Sequence, residues 1–438
     1  MLDFPAEFLA ERIEQANPLP IYGKVVDLVG LTVEATGPPM RVGDLCYVRP
    51  LERTGDLPFE VVGFRGDRIL LMPLADLHGI GPGSLLLPTF APLRIRVNRN
   101  LLGRVLDGLG RPIDGGPTLF GGEYAPLRAA PPRPLDRQRI TQPIHTGVRV
   151  IDGCVTMGKG QRMAIMSGSG VGKSKLMGMI ARNTSADINV IALIGERGRE
   201  VREFIESDLG TEGLKRSVVV TATSDEPALV RIKGAYLATA IAEWFRAQGA
   251  DVMLMMDSVT RFAMAQREVG LAVGEPPTTK GYPPSVFALL PKLLERAGTA
   301  AQGSITGFYA VLVEADDLND PIGDAVRSIV DGHVALSRDL ASRGHYPAID
   351  VLQSVSRVMN EVTADAHLEL ARRMRSVLAT YRDAEDLVNI GAYAQGANPE
   401  IDHALRVMPK LRAFLQQGLK ENTEFKQLPA HMQKALQA

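Results

Sequence analysis

The residues with the clearest chemical potential lie in the stretch SGSGVGKSKLMGMIAR, positions 167 to 182. Its glycines tolerate positive φ, so the chain can turn sharply between the apolar run RMAIMSG and the helix formers that follow. A strand, a glycine turn and a helix N-terminus gather backbone N–H groups around one point, and the helix dipole adds positive character there. This arrangement predicts a phosphate cradle, with Lys173 on the β- and γ-phosphates and Ser174 on Mg²⁺.

The match to the usual phosphate-loop pattern is incomplete by one residue, because Ser167 stands where that pattern has a glycine six residues before the lysine. The core GVGKS is intact. An ordinary glycine turn before a helix is the alternative, but the preceding strand and the acidic residues farther along the chain argue against it. We therefore expect a continuous set of residues to bind the nucleotide: Ser169, Gly170, Val171, Gly172, Lys173, Ser174 and Lys175.

Two carboxylates directly follow other apolar runs that read as buried strands. Asp257 ends the run in DVMLMMDS, and Glu196 is the first carboxylate after the run in IALIGERGRE. The carboxyl ends of parallel strands form the edge where ligands bind, so Asp257 is predicted to support the metal and Glu196 to orient the attacking water. The alternatives are a helix N-cap for Asp257 and a surface ion pair of Glu196 with Arg197 or Arg199.

Phosphoryl transfer also needs a cation for the charge that develops in the transition state, and spacing alone does not identify one. Arg357, in QSVSRVM, lies beyond the predicted sheet. If it points away from its own nucleotide, it can complete a neighbour's site in an oligomer. Taken alone, an ordinary arginine at the surface or at the edge of the core is the simpler interpretation.

The elements that position these residues follow from the pattern of apolar runs. Residues 2–16 show the spacing of a short amphipathic helix, which either packs on its own domain or binds a partner. From 19 to 92, short apolar runs alternate with Gly, Pro and Asp turns, as in a small β-barrel or sandwich. From 145 to 345, strand-like and helical stretches alternate, which predicts a parallel sheet covered by helices. From 350 onward the chain reads as helical.

Composition limits the class of protein. The chain has 438 residues, a net charge of −1 and 45% hydrophobic residues, which is ordinary for a soluble globular protein and gives no global basic field for nucleic acid. Cys46 and Cys154 are the two cysteines, too few for a disulfide framework. No apolar run is long enough to span a bilayer, and the acidic N-terminus does not resemble a secretory signal. We expect a cytoplasmic protein.

Together with long blocks around them, these motifs resemble the ATPases of type III protein export, relatives of the catalytic subunit of rotary ATP synthases. The blocks include GRVLDGLGRPIDG, GSGVGKS, ALIGERGREVREFI, MDSVTRFAMAQREVGLAVGEPP, GYPPSVFALLPKLLERAG and DGHVALSRDLASRGHYPAIDVLQSVSRVM. Met264 and the Lys280-Gly281-Tyr282 positions look more like the flagellar form than the virulence injectisome form.

The resemblance implies an α/β protein: a RecA-like phosphate-loop core with a parallel sheet, preceded by a small β-barrel and followed by an α-helical domain. The expected ranges are 1–17 for a partner-binding helix, 18–92 for the barrel, 93–345 for the nucleotide-binding domain and 346–438 for the helical domain. It also implies a homohexamer with ATP and Mg²⁺ at each subunit interface.

By position, the resemblance assigns roles to the site residues. Lys173 and Ser174 hold phosphate and Mg²⁺, and Asp257 supports the metal. Glu196 is the catalytic carboxylate. Arg197 lies beside Glu196 in the chain, Arg261 is close to the same carboxylate, and Arg357 is the arginine finger given to the adjacent subunit. The family's aromatic ring on adenine has no evident counterpart, since Leu368 stands at the nearest aligned position; aliphatic packing or another residue such as Tyr393 is the expected substitute.

The resemblance further implies a set of partners. A stator or regulator protein binds the N-terminal helix, a coiled-coil stalk protein enters the ring, and export chaperones deliver cargo to a membrane export gate. The ring would then lie in the cytoplasm, peripheral to the inner face of the membrane.

Several other functions remain open from the sequence. They are a virulence secretion ATPase, a rotary ATP synthase subunit, and a scaffold that binds ATP and docks chaperones without turnover. A ring-shaped RNA translocase shares the core, but the charge balance and the 5% aromatic content give it no support. Glu196 argues against a noncatalytic rotary subunit, which would lack a carboxylate there.

Overall fold

The structure is a computed structural model that describes residues 21–52, 55–313 and 320–437. The predicted N-terminal helix lies outside the described residues. The described residues divide into two compact units: those within 21–93 together with 272–274 form one, and those within 94–271 and 275–437 form the other. The sequence-based domain boundaries stay a prediction. None of the helices in the described part of the chain combines the length and apolar character that a membrane crossing requires.

The first unit is a closed antiparallel barrel with the strand order β1-β2-β5-β4-β3-β6. Burial alternates along β3, as expected for a barrel strand with one face toward the core. Cys46 and Val48 are buried in the barrel core, while Tyr47 between them is half-buried. The strands are β1 Gly23–Val29, β2 Thr32–Thr36, β3 Asp44–Arg49, β4 Leu57–Arg65, β5 Arg68–Pro73 and β6 Leu85–Pro92.

Strands of the second unit form a nine-stranded sheet with the order β19-β18-β12-β17-β15-β13-β14-β8, and β16 pairs with β17. Its pairs are parallel except β16–β17 and β18–β19. Two small antiparallel pairs, β7–β9 and β10–β11, lie outside it. The strands are β7 Arg94–Val97, β8 Val105–Asp107, β9 Glu123–Pro126, β10 Pro143–Ile144, β11 Met157–Gly158, β12 Arg162–Ser167, β13 Ile188–Ile194, β14 Ser217–Ala222, β15 Asp251–Asp257, β16 Gly298–Thr299, β17 Ser304–Leu312, β18 Gly332–Leu336 and β19 Ile349–Ser356.

Helices cover this sheet and continue beyond it. The longest apolar one, α5, packs on β13, β14 and β15, and the C-terminal helices α11, α12 and α13 pack on one another and on α1. Their bounds are α1 Arg149–Cys154, α2 Lys173–Asn183, α3 Gly198–Glu203, α4 Gly210–Lys215, α5 Ala228–Ala247, α6 Val259–Ala272, α7 Pro284–Leu294, α8 Pro321–Ile329, α9 Arg338–Ser342, α10 Met359–Val362, α11 Asp365–Asn389, α12 Pro399–Leu415 and α13 Leu428–Ala435. A π-helical turn, Phe204–Leu209, separates α3 from α4.

Parts of the sequence-based description are wrong in detail. The region read as helical from residue 350 begins with β19, which pairs antiparallel with β18. The glycine-rich segment GRVLDGLGRPIDG contains β8, which extends the sheet beside β14. Because β19 belongs to the central sheet, the helices α10 to α13 are the elements that follow it in the described part of the chain. The barrel, the largely parallel sheet and the C-terminal helices agree with the expected fold class.

Candidate active site

The glycine turn joins β12 to α2 at the carboxyl edge of the sheet. Gly170 and Gly172 have φ values of 79° and 92°, which a residue with a Cβ rarely adopts. Ser169 and Gly170 are exposed, whereas Val171 is buried and anchors the turn. Lys173 begins α2, so the backbone N–H groups of the first helical turn are open toward a ligand. This is the geometry of an anion site at a helix N-terminus.

Lys173, Asp257 and Glu196 meet at this edge. Asp257 and Glu196 follow neighbouring parallel strands, β15 and β13, in which Leu193 is paired with Asp257. The Nζ atom of Lys173 forms an ion pair with Oδ1 of Asp257 and lies 3.6 Å from Oε1 of Glu196. All three side chains are largely buried, with exposures of 10%, 3% and 15% for Lys173, Asp257 and Glu196. The structure therefore brings together the cation and both carboxylates that the sequence singled out, while their roles stay predictions.

Burial of Glu196 raises the pKa of its carboxyl to about 7, and repulsion from Asp257 adds to the rise. The attraction of Lys173 opposes this effect. Asp257 is the closer partner of the lysine and takes most of its charge, which leaves Glu196 only partly compensated. A carboxyl whose pKa lies near neutrality is suited to accept or share a proton of a water molecule at physiological pH.

Arg261 packs directly beneath the turn that leads to Glu196. Gly195 has a φ of 71°, and a Cβ at this position would lie 2.8 Å from the Cβ of Arg261. Glycine is therefore required here both by conformation and by space. Arg197, by contrast, has an exposed side chain that pairs with Glu200 at 3.3 Å. The structure places Arg261 next to the candidate carboxylate and directs Arg197 into solvent.

The side chain of Lys175 is held by two carboxylates outside the glycine turn. Its Nζ atom lies 2.9 Å from Glu203 and 2.9 Å from Asp208, the latter in the π-helical turn. These contacts tie the first turn of α2 to the segment that follows Glu196.

Ser174 and Asp257 offer the oxygen donors that Mg²⁺ prefers. Within the described ranges, no group of three or more His, Cys, Asp or Glu side chains could hold a metal by itself. Mg²⁺ usually takes one or two protein ligands and fills its remaining positions with water and substrate phosphate oxygens. The residues present therefore fit a magnesium ion that binds together with the nucleotide.

Arg357 lies at the opposite edge of the sheet, where the parallel strands begin, rather than at the carboxyl edge where they end. It follows β19, whose last residue Ser356 is paired with Gly332 at the start of β18. Since β18 runs parallel to β12, this end of β19 is separated from the glycine turn by the length of β12, about 20 Å for six residues. The side chain of Arg357 is exposed. Within one chain, the structure does not bring Arg357 to Lys173.

Tyr346 is a candidate site residue that the sequence reasoning missed. It lies in the β18–β19 connection, and its ring is 3.4 Å from the position of a Cβ on Gly172. The ring is 45% exposed, and the backbone N–H of Gln417 donates to its carbonyl at 3.0 Å. The two residues that the sequence offered for the adenine contact have other contacts: Leu368 is buried in α11, and the hydroxyl of Tyr393 donates to Asp402 at 3.0 Å.

Two family models match the chain. The nucleotide-binding domain of the ATP synthase alpha/beta family matches residues 147–356, and the C-terminal domain of type III secretion ATPases of the EscN kind matches residues 363–434. Residues 147–356 include the glycine turn, both carboxylates and β19, so this match also ends after the last sheet strand.

Curated relatives span nearly the whole chain. The flagellum-specific ATP synthase of Bacillus subtilis is 54% identical over 94% of this chain and 94% of its own. The type 3 secretion system ATPase of Xanthomonas euvesicatoria is 52% identical over 90% of each. Among solved structures, the assembled ATPase EscN of the enteropathogenic E. coli type III secretion system superposes with a TM-score of 0.90 at 47% identity, covering 95% of this chain and all of that one. The same ATPase in complex with its central stalk EscO gives 0.88 at 46% identity.

Proposed function

The chain belongs to the ATP synthase alpha/beta family, within its branch of type III export ATPases, and from this membership we propose that it hydrolyses ATP to energise flagellar protein export. One observation carries the proposal: a lysine at a glycine-turn helix start meets two buried carboxylates from neighbouring strands. Phosphoryl transfer requires that set, namely a phosphate cradle, a metal ligand and a group that orients water.

Binding of the triphosphate tail begins at the glycine turn. The open N–H groups at the start of α2 bind phosphate oxygens, and Lys173 turns its ammonium from Asp257 toward the β- and γ-phosphates. Asp257 and Ser174 would hold Mg²⁺, which supplies charge neutralisation on the phosphate oxygens when it is bound. The ring of Tyr346, beside Gly172, stacks on the adenine.

Glu196 orients the attacking water. Its raised pKa, about 7, makes the carboxylate a stronger proton acceptor than an ordinary glutamate. Arg261 holds the backbone turn that carries Glu196, because its side chain packs against Gly195. It therefore acts on the position of the carboxylate rather than on the phosphate.

Arg357 completes the site of a neighbouring subunit as an arginine finger. Its exposure and its place at the opposite sheet edge support action in trans, since its own nucleotide is a strand length away. Such a site is built only in an oligomer, and a homohexameric ring is the proposed assembly. Arg197, exposed and paired with Glu200, plays at most a secondary part at the same interface.

A flagellar role is proposed over a virulence role because flagellum-specific relatives reach the higher identity, 54% against 52%. The difference is small, so the injectisome remains the second candidate. By analogy with the EscN–EscO complex, a coiled-coil stalk protein is the proposed central partner. A stator or regulator at the N-terminal helix, chaperones with their cargo, a membrane export gate and a cytoplasmic position at the inner membrane face complete the proposal.

The test is the steady-state ATPase rate of assembled protein, wild type against Glu196→Gln. The variant keeps the size of the side chain but loses its charge, so turnover should fall by about 10²-fold to 10⁴-fold while ATP binding persists. Glu206→Gln, an exposed carboxylate paired with Arg202, is the matched control and should keep wild-type activity. Equal, negligible rates for wild type and Glu196→Gln would instead support the nucleotide-gated scaffold.

A further inference from the structure

Gln161, immediately before β12, buries an amide side chain at the sheet edge that carries Arg357. The side chain is fully buried. Its Oε1 atom accepts a hydrogen bond from the backbone N–H of Gly158 at 2.9 Å. Its Nε2 atom donates to the carbonyl of Asp331 at 3.1 Å and to the hydroxyl of Ser356 at 3.1 Å. Asp331 directly precedes β18 and Ser356 ends β19, and these two strand ends are paired with each other.

The backbone of Arg357 shares one hydrogen-bond acceptor with Gln161. Its backbone N–H donates to the carbonyl of Asp331 at 2.9 Å, the carbonyl that also accepts from Gln161. Ser356, the second acceptor of Gln161, is the residue before Arg357. The amide of Gln161 therefore contacts both the residue before Arg357 and the carbonyl that accepts the hydrogen bond of the Arg357 backbone.

A second set of hydrogen bonds, between Arg162 and Asp331, fixes the segment that accepts the hydrogen bond of the Arg357 backbone. Arg162 Nε donates to Asp331 Oδ2 at 3.1 Å, and the backbone N–H of Asp331 donates to the carbonyl of Arg162 at 2.8 Å. Because the side chain of Arg357 is exposed, its direction depends on this backbone rather than on packing around the guanidinium. A finger must be held within a fraction of an ångström of its target, and small displacements are costly for catalysis.

We propose that Gln161 is a positioning residue for Arg357, which sets the arginine finger at the angle that the neighbouring subunit's site requires. This inference rests on the proposed role of Arg357. In this proposal the two ends of β12 have different functions. The glycine turn after β12 binds the subunit's own nucleotide, and Gln161 before β12 positions the arginine finger that acts on the neighbouring subunit's nucleotide.

A purely structural role makes a different prediction. Gln161 leads directly into β12, so its loss could instead disturb the glycine turn of its own subunit. In that case ATP binding would weaken, and the defect would lie on the same side of the interface as Glu196. The two readings therefore differ in which partner variant restores activity in mixed rings.

The first experiment compares kcat and KM of assembled Gln161→Ala with those of a matched control. Positioning predicts a kcat lower by ~10-fold to 100-fold with an unchanged KM for ATP, because misplacement harms the transition state. Asn189→Ala is the control: Asn189 is also fully buried, is the second residue of strand β13, and donates to one carbonyl and one serine hydroxyl. It should lower the thermal midpoint to a similar extent without this loss in kcat.

The decisive comparison uses mixed rings, in which two variants are co-expressed with different tags and purified through both tags. The ATPase activity of each mixture is measured. Gln161→Ala with Glu196→Gln should regain activity, since one interface then combines an intact carboxylate with an intact finger. Gln161→Ala with Arg357→Ala should show no gain over Gln161→Ala alone, because both defects lie on the finger side. The reverse pattern, rescue by Arg357→Ala and none by Glu196→Gln, would overturn the proposal.

Two further results keep the outcome interpretable. If Gln161→Ala does not fold, Ser356→Ala removes one of the same bonds and should show a smaller kcat loss with the same rescue pattern. If Arg357→Ala itself is not rescued by Glu196→Gln, the finger role fails, and that failure is separate from the behaviour of Gln161. A Gln161 variant with wild-type kcat would overturn the positioning role even where the finger role stands.

Discussion

The two edges of the central sheet contrast sharply. At the carboxyl edge, the glycine turn, Lys173, Asp257 and Glu196 lie within one chain, and the three charged side chains are largely buried. At the opposite edge, Arg357 is exposed, although a buried hydrogen-bond network holds its backbone. One edge is the proposed phosphate site, and the other presents the exposed side chain of Arg357.

This contrast is the basis for the proposal that the active site is divided between two subunits. A parallel sheet collects ligand-binding groups at one edge, so a group at the other edge cannot reach the same ligand. Strand β19 runs antiparallel to β18 and has a proposed site residue near each end: Tyr346 precedes it beside the glycine turn, and Arg357 follows it. Assembly is therefore part of the proposed chemistry, and the predictions below test the division.

The largest effect is expected from Lys173→Ala. ATP binding should weaken by about 3 to 6 kcal/mol, because each hydrogen bond between charged groups contributes about 1.5 to 3 kcal/mol and the lysine serves two phosphates. Isothermal titration with ATP measures it. Lys159→Ala is the matched control at the opposite edge, where Lys159 pairs with Asp251 at 2.6 Å, and it should leave ATP affinity unchanged. Wild-type affinity in Lys173→Ala would refute the cradle.

Arg357→Ala should affect turnover instead of binding. We expect kcat of the assembled protein to fall by ~10³-fold, as for other arginine fingers, with ATP affinity preserved. An exposed arginine on α11, Arg373, supplies the control substitution, which should retain activity. If Arg357→Ala loses ATP affinity as strongly as activity, the residue serves its own site and the contrast between the edges disappears.

Tyr346→Ala tests the base contact at the glycine-turn edge. Stacking of a base on an aromatic ring is worth about 1 to 3 kcal/mol, so ATP should bind ~10-fold to 100-fold more weakly. Inorganic triphosphate, which has no base, should bind both proteins equally. Tyr346→Phe keeps the ring and should behave like wild type. An equal loss for ATP and triphosphate would mean that Tyr346 supports the turn rather than the adenine.

The smallest effect concerns stability without nucleotide. The pKa of Glu196 is raised from 4.5 to about 7, so the folded chain binds its proton more tightly than the unfolded chain does. Stability contributed by this group is present at low pH and is lost as pH rises through about 7. Glu196→Gln should therefore gain about 1 to 3 kcal/mol over wild type at about pH 8 and lose that advantage near pH 5. Chemical denaturation measures it, and a difference independent of pH would contradict the raised pKa.

Local patterns were sufficient for much of the site. Apolar runs followed by a polar residue identified Lys173, Asp257 and Glu196, because parallel strands bring such positions to one edge. Burial of the runs also explains why the sheet and the barrel were predicted correctly as classes. These features depend on residues that are close in sequence.

Features that depend on distant pairing were not predictable in the same way. Tyr346 lies at the site because β18 and β19 form an antiparallel pair, and because Gln417, far along the chain, holds its carbonyl. The pattern after residue 350 indicated helix, so the strand that carries Arg357 to the opposite edge was missed. The tertiary bonds of Gln161 have no local signature at all.

Complementation in mixed rings tests the central claim most directly. Glu196→Gln and Arg357→Ala subunits are each inactive alone but leave opposite sides of the interface intact. Co-assembled rings should regain a substantial fraction of wild-type ATPase activity, because some interfaces join an intact Glu196 to an intact Arg357. Rings that contain both variants in verified amounts and remain inactive would contradict a site divided between the two edges of neighbouring subunits.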